Sequence, residues 1–273
     1  MADCLKLYFD VSAIFLAMPG QQSLTAGIRR VALGLPGVQI QSVEHRLFCF
    51  GHRGARGHEP ENTLRSVRRA LELGADGVEV DVYFVDGQLV VIHDDTLQRT
   101  TNGRGPLAEK TFAQLRALDA GAGERIPTLA EIFDAVNRRA IINVELKGPH
   151  TAAPVAALIA RYVDDRGWSF EDFLVSSFEP ARIQEARQCC PDIRIGALIE
   201  ATPHDLGEFT ETLGLWSLHP SKRCVTPRLV AEAHGMGLKV FVFTVNQPRE
   251  IARMKILGVD GVFSDFPERV VAG

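Results

Sequence analysis

From residue 46 onward the chain alternates short apolar runs with longer stretches whose apolar residues recur at helical spacing. Eight apolar runs can be placed, at 47–50, 77–82, 141–146, 173–176, 193–198, 215–218, 240–244 and 261–263. Runs of this kind suit parallel strands covered on both faces, because crossover helices shield the sheet from water on either side. Helical segments are expected at 62–73, 152–163, 180–189, 227–234 and 248–257, where apolar residues follow a period near 3.6. Their ends carry the expected punctuation. Gly74 follows the first helix, Pro180 opens the third, and Thr226 precedes Pro227 with Gly235 at the far end. Eight βα units between residues 46 and 273 fit a (β/α)8 TIM barrel, which takes ~250 residues. A doubly wound open sheet is the alternative α/β architecture, and it lacks support from any Rossmann glycine fingerprint.

One interval breaks the rhythm. Residues 83–139 are too many for an ordinary βα loop. They contain an Asp86-Gly87 turn signal, an alternating run at 88–93 and a helix near 111–118. We read them as a small insertion after the second strand, on the catalytic face of a barrel spanning 46–273. Residues 1–45 read as an N-terminal extension of unknown role. Its apolar stretch at 5–18 is broken by Lys6 and Asp10 and falls short of the about 20 residues needed to span a bilayer. Asp3 precedes the only early lysine, which argues against a signal peptide. A short helix is expected around 26–33.

Bulk properties narrow the function. A net charge of −4 gives no support for nucleic-acid binding. The five cysteines form no CxxC pair, which suits inert thiols in a reducing compartment and hence a cytoplasmic location.

The chemistry falls at strand ends, where a barrel builds its active-site mouth. His52 and Arg53 end the first strand. Glu79 and Asp81 lie two apart on the second, and Glu145 and Lys147 repeat that spacing on the third. Period two places each pair on one face. Three carboxyl groups converging on one mouth repel unless a cation sits among them. Glu79, Asp81 and Glu145 are therefore expected metal ligands, and an all-oxygen set favours one Mg²⁺ or Ca²⁺ over zinc. Interior salt bridges with Arg53 or Lys147 are the competing explanation for these carboxylates. Taken singly, His52 and His93 could be hydrogen-bonded rim residues. His219 ends the sixth run and is a candidate for lining the mouth. His58, His150, His204 and His234 read as surface or helix-end residues, and Lys222-Arg223 as a solvated pair.

Several separated motifs, in order, resemble the glycerophosphodiester phosphodiesterase family. They are Gly51-His-Arg-Gly with Pro60-Glu-Asn-Thr63, Glu79-Val-Asp81, Asp86-Gly-Gln-Leu-Val-Val-Ile-His93-Asp and Thr100-Thr-Asn-Gly103. Further along come Asn143-Val-Glu-Leu-Lys-Gly148, Ser176-Ser-Phe178, Thr244-Val-Asn246 and Gly258-Val-Asp-Gly-Val-Phe-Ser-Asp-Phe-Pro267. The resemblance covers roughly residues 48–270. It implies a TIM barrel with an insertion after the second strand, and His52 and His93 as general acid and base. It implies divalent-cation binding by Glu79, Asp81 and Glu145, and phosphate contact by Arg53 and Lys147. Glu61 is expected to support the site without ligating the metal. Phe243 stands where the family often has tryptophan, and Ser264 where it often has threonine.

The implied activity is metal-dependent hydrolysis of a small-molecule glycerophosphodiester to glycerol 3-phosphate and an alcohol. Two alternatives remain: a lysophospholipase D-type enzyme, aided at a membrane surface by the apolar N-terminal stretch, and a non-catalytic phosphate-binding relative. Membrane contact is not required by the leading reading.

Overall fold

The computed structural model describes residues 46–272; the expectations for the N-terminal extension lie outside the described residues. Eight parallel strands close into a barrel. They are β1 (Phe48–Gly51), β2 (Gly77–Val85), β4 (Ile141–Leu146), β5 (Phe173–Ser177), β6 (Arg194–Ile199), β7 (Ser217–Pro220), β8 (Lys239–Val242) and β9 (Gly261–Ser264). Each pairs in parallel with its neighbours, and the β1–β9 and β1–β2 ladders complete the ring. A helix follows every barrel strand: α1 (Leu64–Glu72), α3 (Leu129–Val136), α4 (Ala152–Arg166), α5 (Pro180–Cys189), α6 (Leu206–Leu213), α7 (Pro227–Gly235), α8 (Pro248–Leu257) and α9 (Pro267–Val271).

Strand periodicity sorts the side chains into two layers. Cys49, Val78, Val80, Ile142, Val144, Val175, Ile195, Leu218 and Val262 point outward and join the helices in the main core. Residues of the other parity turn inward. Phe50, Leu174, Phe241 and Phe263 fill the lumen as a separate aromatic cluster. The Phe50 and Phe263 rings stack with centroids 5.0 Å apart, and Phe241 meets Phe50 edge-on at 5.3 Å. So many rings fit because glycines face them: a Cβ on Gly77 would lie 2.5 Å from Phe50, and one on Gly196 2.7 Å from the His219 ring. The barrel interior is thus a packed core with a polar mouth above it, not a channel.

Between β2 and α3 the chain forms a subdomain with its own core. β3 (Gln88–Val91) pairs antiparallel with β2 across an Asp86-Gly87 turn, and α2 (Phe112–Ala117) packs nearby. Val85, Val90, Ile92, Leu97, Leu107, Leu115 and Ile126 are buried together, apart from the barrel core. Helix α3, also within 83–139, belongs instead to the barrel layer through Leu129, Ile132, Phe133 and Val136. Two helices go beyond the sequence reading of these regions. Helix α3 begins at a Thr128–Glu131 capping box, and α6 runs between an Asp205 N-cap and a left-handed Gly214. The seventh strand in chain order of the sheet, β7, lies two residues downstream of the expected 215–218. Among the described residues, no helix is long and apolar enough to cross a membrane.

Candidate active site

The turn after β1 sets the first half of the site. Arg53 (φ 53°) and Gly54 (φ 79°) adopt left-handed conformations that fold the chain back onto α1. A Cβ on Gly54 would lie 2.5 Å from Ser66, so only glycine permits that approach. The turn places the Arg53 amide 2.8 Å from Glu79 Oε2 and its guanidinium 2.6 Å from Glu61 Oε1. The following segment supports it: Asn62 donates to Asp81 Oδ2 at 2.9 Å and accepts from the Asp81 amide, while Thr63 caps α1.

Register brings the acids together. Glu79 lies beside Asn143 and Asp81 beside Glu145 across the β2–β4 ladder. Ligand atoms of Glu79, Asp81 and Glu145 all fall within 4.8 Å of one another, and all three residues are buried. Salt bridges are present as well: Arg53 Nε stands 3.2 Å from Asp81, and Lys147 Nζ lies 2.8 Å from Glu145 and 3.8 Å from Asp81. They do not satisfy the cluster. Glu79 Oε1 and Asp81 Oδ1 are buried without a hydrogen-bond partner. Burial and the neighbouring carboxylates push the Glu79 carboxyl well above its usual range, and burial with Asp81 raises Glu145 to about 7. Buried oxygens without partners are costly. A hard divalent cation would satisfy them and hold all three groups ionised, so the donor set fits Mg²⁺ or Ca²⁺.

Two histidines flank the acids, each held by an aspartate. His52 Nδ1 stands 2.6 Å from Asp265 Oδ1, and Asn246 fixes the other Asp265 oxygen at 2.7 Å. His93 Nδ1 stands 2.6 Å from Asp94 Oδ1. Arg99 grips Asp94 through Nε at 2.5 Å and Glu61 through two further bonds at 2.8 and 2.9 Å. A carboxylate on Nδ1 holds the proton there and leaves Nε2 as the acceptor. His93 Nε2 accordingly accepts from Lys147 Nζ at 3.3 Å. Burial lowers the affinity of both rings for a second proton, against the pull of their aspartates.

The mouth encloses about 350 Å³ and is lined on this side by His52, Arg53, Glu79, His93, Glu145 and Lys147. The seven residues expected as acid–base, phosphate-binding or metal-ligating groups, His52, Arg53, Glu79, Asp81, His93, Glu145 and Lys147, converge here. Asp94, Asp265, Arg99 and Asn246 escaped that reading. The first two carried a signal: Asp94 adjoins His93 in sequence, and Asp265 continues the inward parity of Gly261 and Phe263. His219 does not reach the mouth. It is fully buried a layer below, bonded to Ser217 Oγ at 2.8 Å and enclosed by Phe241 and Phe263. Lys222 is not free either, pairing with Glu250 at 2.7 Å. His58 and His234 pair with Glu268 and Asp260.

Fold and site define a (β/α)8-barrel enzyme whose mouth carries a buried carboxylate cluster between two histidine–aspartate pairs. Comparison with known proteins makes the class specific. The model of the Glycerophosphoryl diester phosphodiesterase family matches residues 52–269. A glycerophosphodiester phosphodiesterase of Caldanaerobacter subterraneus is 36% identical over 237 residues, 83% of this chain and 97% of that protein. One of Bacillus altitudinis is 35% identical over 240 residues, covering 81% and 96%. In three dimensions, an Oleispira antarctica phosphodiesterase solved with the product sn-glycerol-3-phosphate superimposes with a TM-score of 0.76. It shares 32% identity, over 82% of this chain and 95% of that one. The chain belongs to the glycerophosphoryl diester phosphodiesterase family.

Proposed function

We propose that the protein hydrolyses glycerophosphodiesters to glycerol 3-phosphate and an alcohol, using one divalent cation and paired histidine acid–base catalysis. The observation that carries this reading is the placement of His52 and His93, each held by an aspartate, on either side of a carboxylate cluster with unpartnered buried oxygens. Family membership and the names of the relatives support the substrate class.

Arg53 and Lys147 bring positive charge to the phosphate position while remaining tethered to Glu61 and Glu145. A cation held by Glu79, Asp81 and Glu145 would supply charge neutralisation at a phosphoryl oxygen. One histidine accepts, at Nε2, the proton of the glycerol 2-hydroxyl as that oxygen forms a bond to phosphorus. The other, entering as imidazolium, gives its proton to the departing ester oxygen, so the alcohol leaves neutral. Water then opens the cyclic phosphate with the two roles exchanged, which returns both rings to their starting states. Asp265 and Asp94 stabilise whichever ring is charged.

The test combines product analysis with metal removal. Phosphorus NMR of a glycerophosphodiester incubated with the protein is expected to show glycerol 3-phosphate. Excess chelator should abolish turnover, and Mg²⁺ or Ca²⁺ should restore it. Full activity in chelator would remove the cation from the reaction, and a phosphorylated head group as product would overturn the cleavage position.

A further inference from the structure

The mouth has two unlike halves. The ends of β1, β2 and β4, with the inserted hairpin, carry the histidines, arginine, lysine and acids described above. The ends of β5, β6 and β8 carry Phe178, Leu198, Glu200 and Phe243, which line the same cavity. Phe178 is 39% exposed and meets the Phe243 ring at right angles, with centroids 5.7 Å apart. Glu200 continues the inward parity of Gly196 and Leu198 on β6. It is exposed, and it forms no ion pair among the described residues.

Charge accounting isolates this carboxylate. Arg53 is engaged by Glu61 and Asp81, Lys147 by Glu145, and Arg56 reaches Asp265 at 3.4 Å. Every cation lining the mouth thus has an acid partner, and Glu200 shares the cavity with two aromatic rings and has no counter-ion among the described residues. An aromatic face beside a free carboxylate attracts an organic cation, through the ring quadrupole and through direct charge.

The aromatic corner adjoins the basic half. Lys147 Nζ lies 5.9 Å from the Phe178 ring centroid, so the ring borders the charged half of the mouth. A phosphoryl group held by Arg53 and Lys147 would direct one ester arm toward the metal ligands and the other across Phe178. We infer that the Phe178–Phe243–Glu200 corner is a head-group subsite selecting leaving alcohols that bear an ammonium group. The inference rests on the hydrolase reading above and names which glycerophosphodiesters that site prefers.

The test is a substrate panel under one metal condition: the choline, ethanolamine, glycerol and inositol esters of glycerol 3-phosphate. The choline and ethanolamine esters are expected to show roughly tenfold higher kcat/KM than the neutral two, carried mainly by KM, as befits a cation–π contact reinforced by a nearby carboxylate. In Glu200→Gln and Phe178→Leu the ratio of cationic to neutral kcat/KM should collapse toward one, and in Glu200→Lys it should invert. Equal rates across the wild-type panel would overturn the inference while leaving the hydrolase reading intact. So would a ratio that survives Glu200→Gln, or a Phe178→Leu variant that loses all four esters alike, which would assign the ring to the glycerol side. Failure to cleave any ester would overturn both.

Discussion

His219 shows what burial does to a single residue. Its ring is fully enclosed, Nδ1 has no partner, and Nε2 meets only Ser217 Oγ. Burial pulls its pKa down to about 3, so the folded protein holds it neutral. In the unfolded chain it titrates near its ordinary 6.5. Between those values the unfolded state binds the extra proton, so this residue's contribution is complete above about pH 6.5 and is lost as pH falls. Going from pH 7 to pH 5, it should cost about 2 kcal/mol of stability. Urea unfolding at both pH values is expected to show that loss shrinking by about this amount in His219→Gln. An unchanged pH difference would mean that the ring is already charged in the fold. In the sequence this histidine is a candidate for the mouth because the apolar run ends at residue 218. The strand continues to Pro220, which sinks His219 one layer into the lumen. Alternating parity was the readable signal for Asp265, and only the observed strand ends make it usable.

At the scale of elements, the inserted subdomain brings residues to the mouth as well as covering it. It carries His93, Asp94 and Arg99, and Arg99 ties it to Glu61 at the start of α1's supporting segment. The Arg99 and Arg53 contacts hold the Glu61 carboxyl low, at about 2, although burial alone would raise it. Arg99→Ala should therefore loosen His93 relative to Lys147 and lower kcat by up to ~100-fold, the cost of a misplaced catalytic group. KM and the thermal midpoint are expected to change little, because Arg99 is 44% exposed and its pairs are shared with solvent. Arg99→Lys, which keeps one charge but not the fork, should recover only part of the rate. A fall in thermal midpoint with kcat intact would make the contact purely structural. Two elements were hard to read for local reasons. Helix α6 holds Gly207 and two threonines, which depress helical propensity, yet Asp205 and Gly214 marked its ends. Helix α3 lay inside an interval too long to be one loop, and its Thr128–Glu131 capping box was the available clue.

For the whole molecule, barrel closure is what turns scattered motifs into one site. Residues from 52 to 265 meet because β9 pairs with β1, setting Ser264 beside Gly51 and hence Asp265 beside His52. The alternation of apolar runs and helices made that closure legible, and with it the convergence of His52, Glu79, Asp81, Glu145 and Lys147. What linear spacing could not convey was division of labour around the rim. Strand order, not sequence distance, puts the charged groups on β1, β2 and β4 and the aromatic corner on β5 through β8. On the proposed mechanism, two histidines move the protons of phosphodiester cleavage. The most direct measurement is steady-state turnover of a glycerophosphodiester by His52→Ala and His93→Ala, each confirmed folded by circular dichroism. The predicted result is a kcat at least ~100-fold below the unaltered enzyme for both variants. Near-normal turnover by either folded variant would remove that histidine from proton transfer.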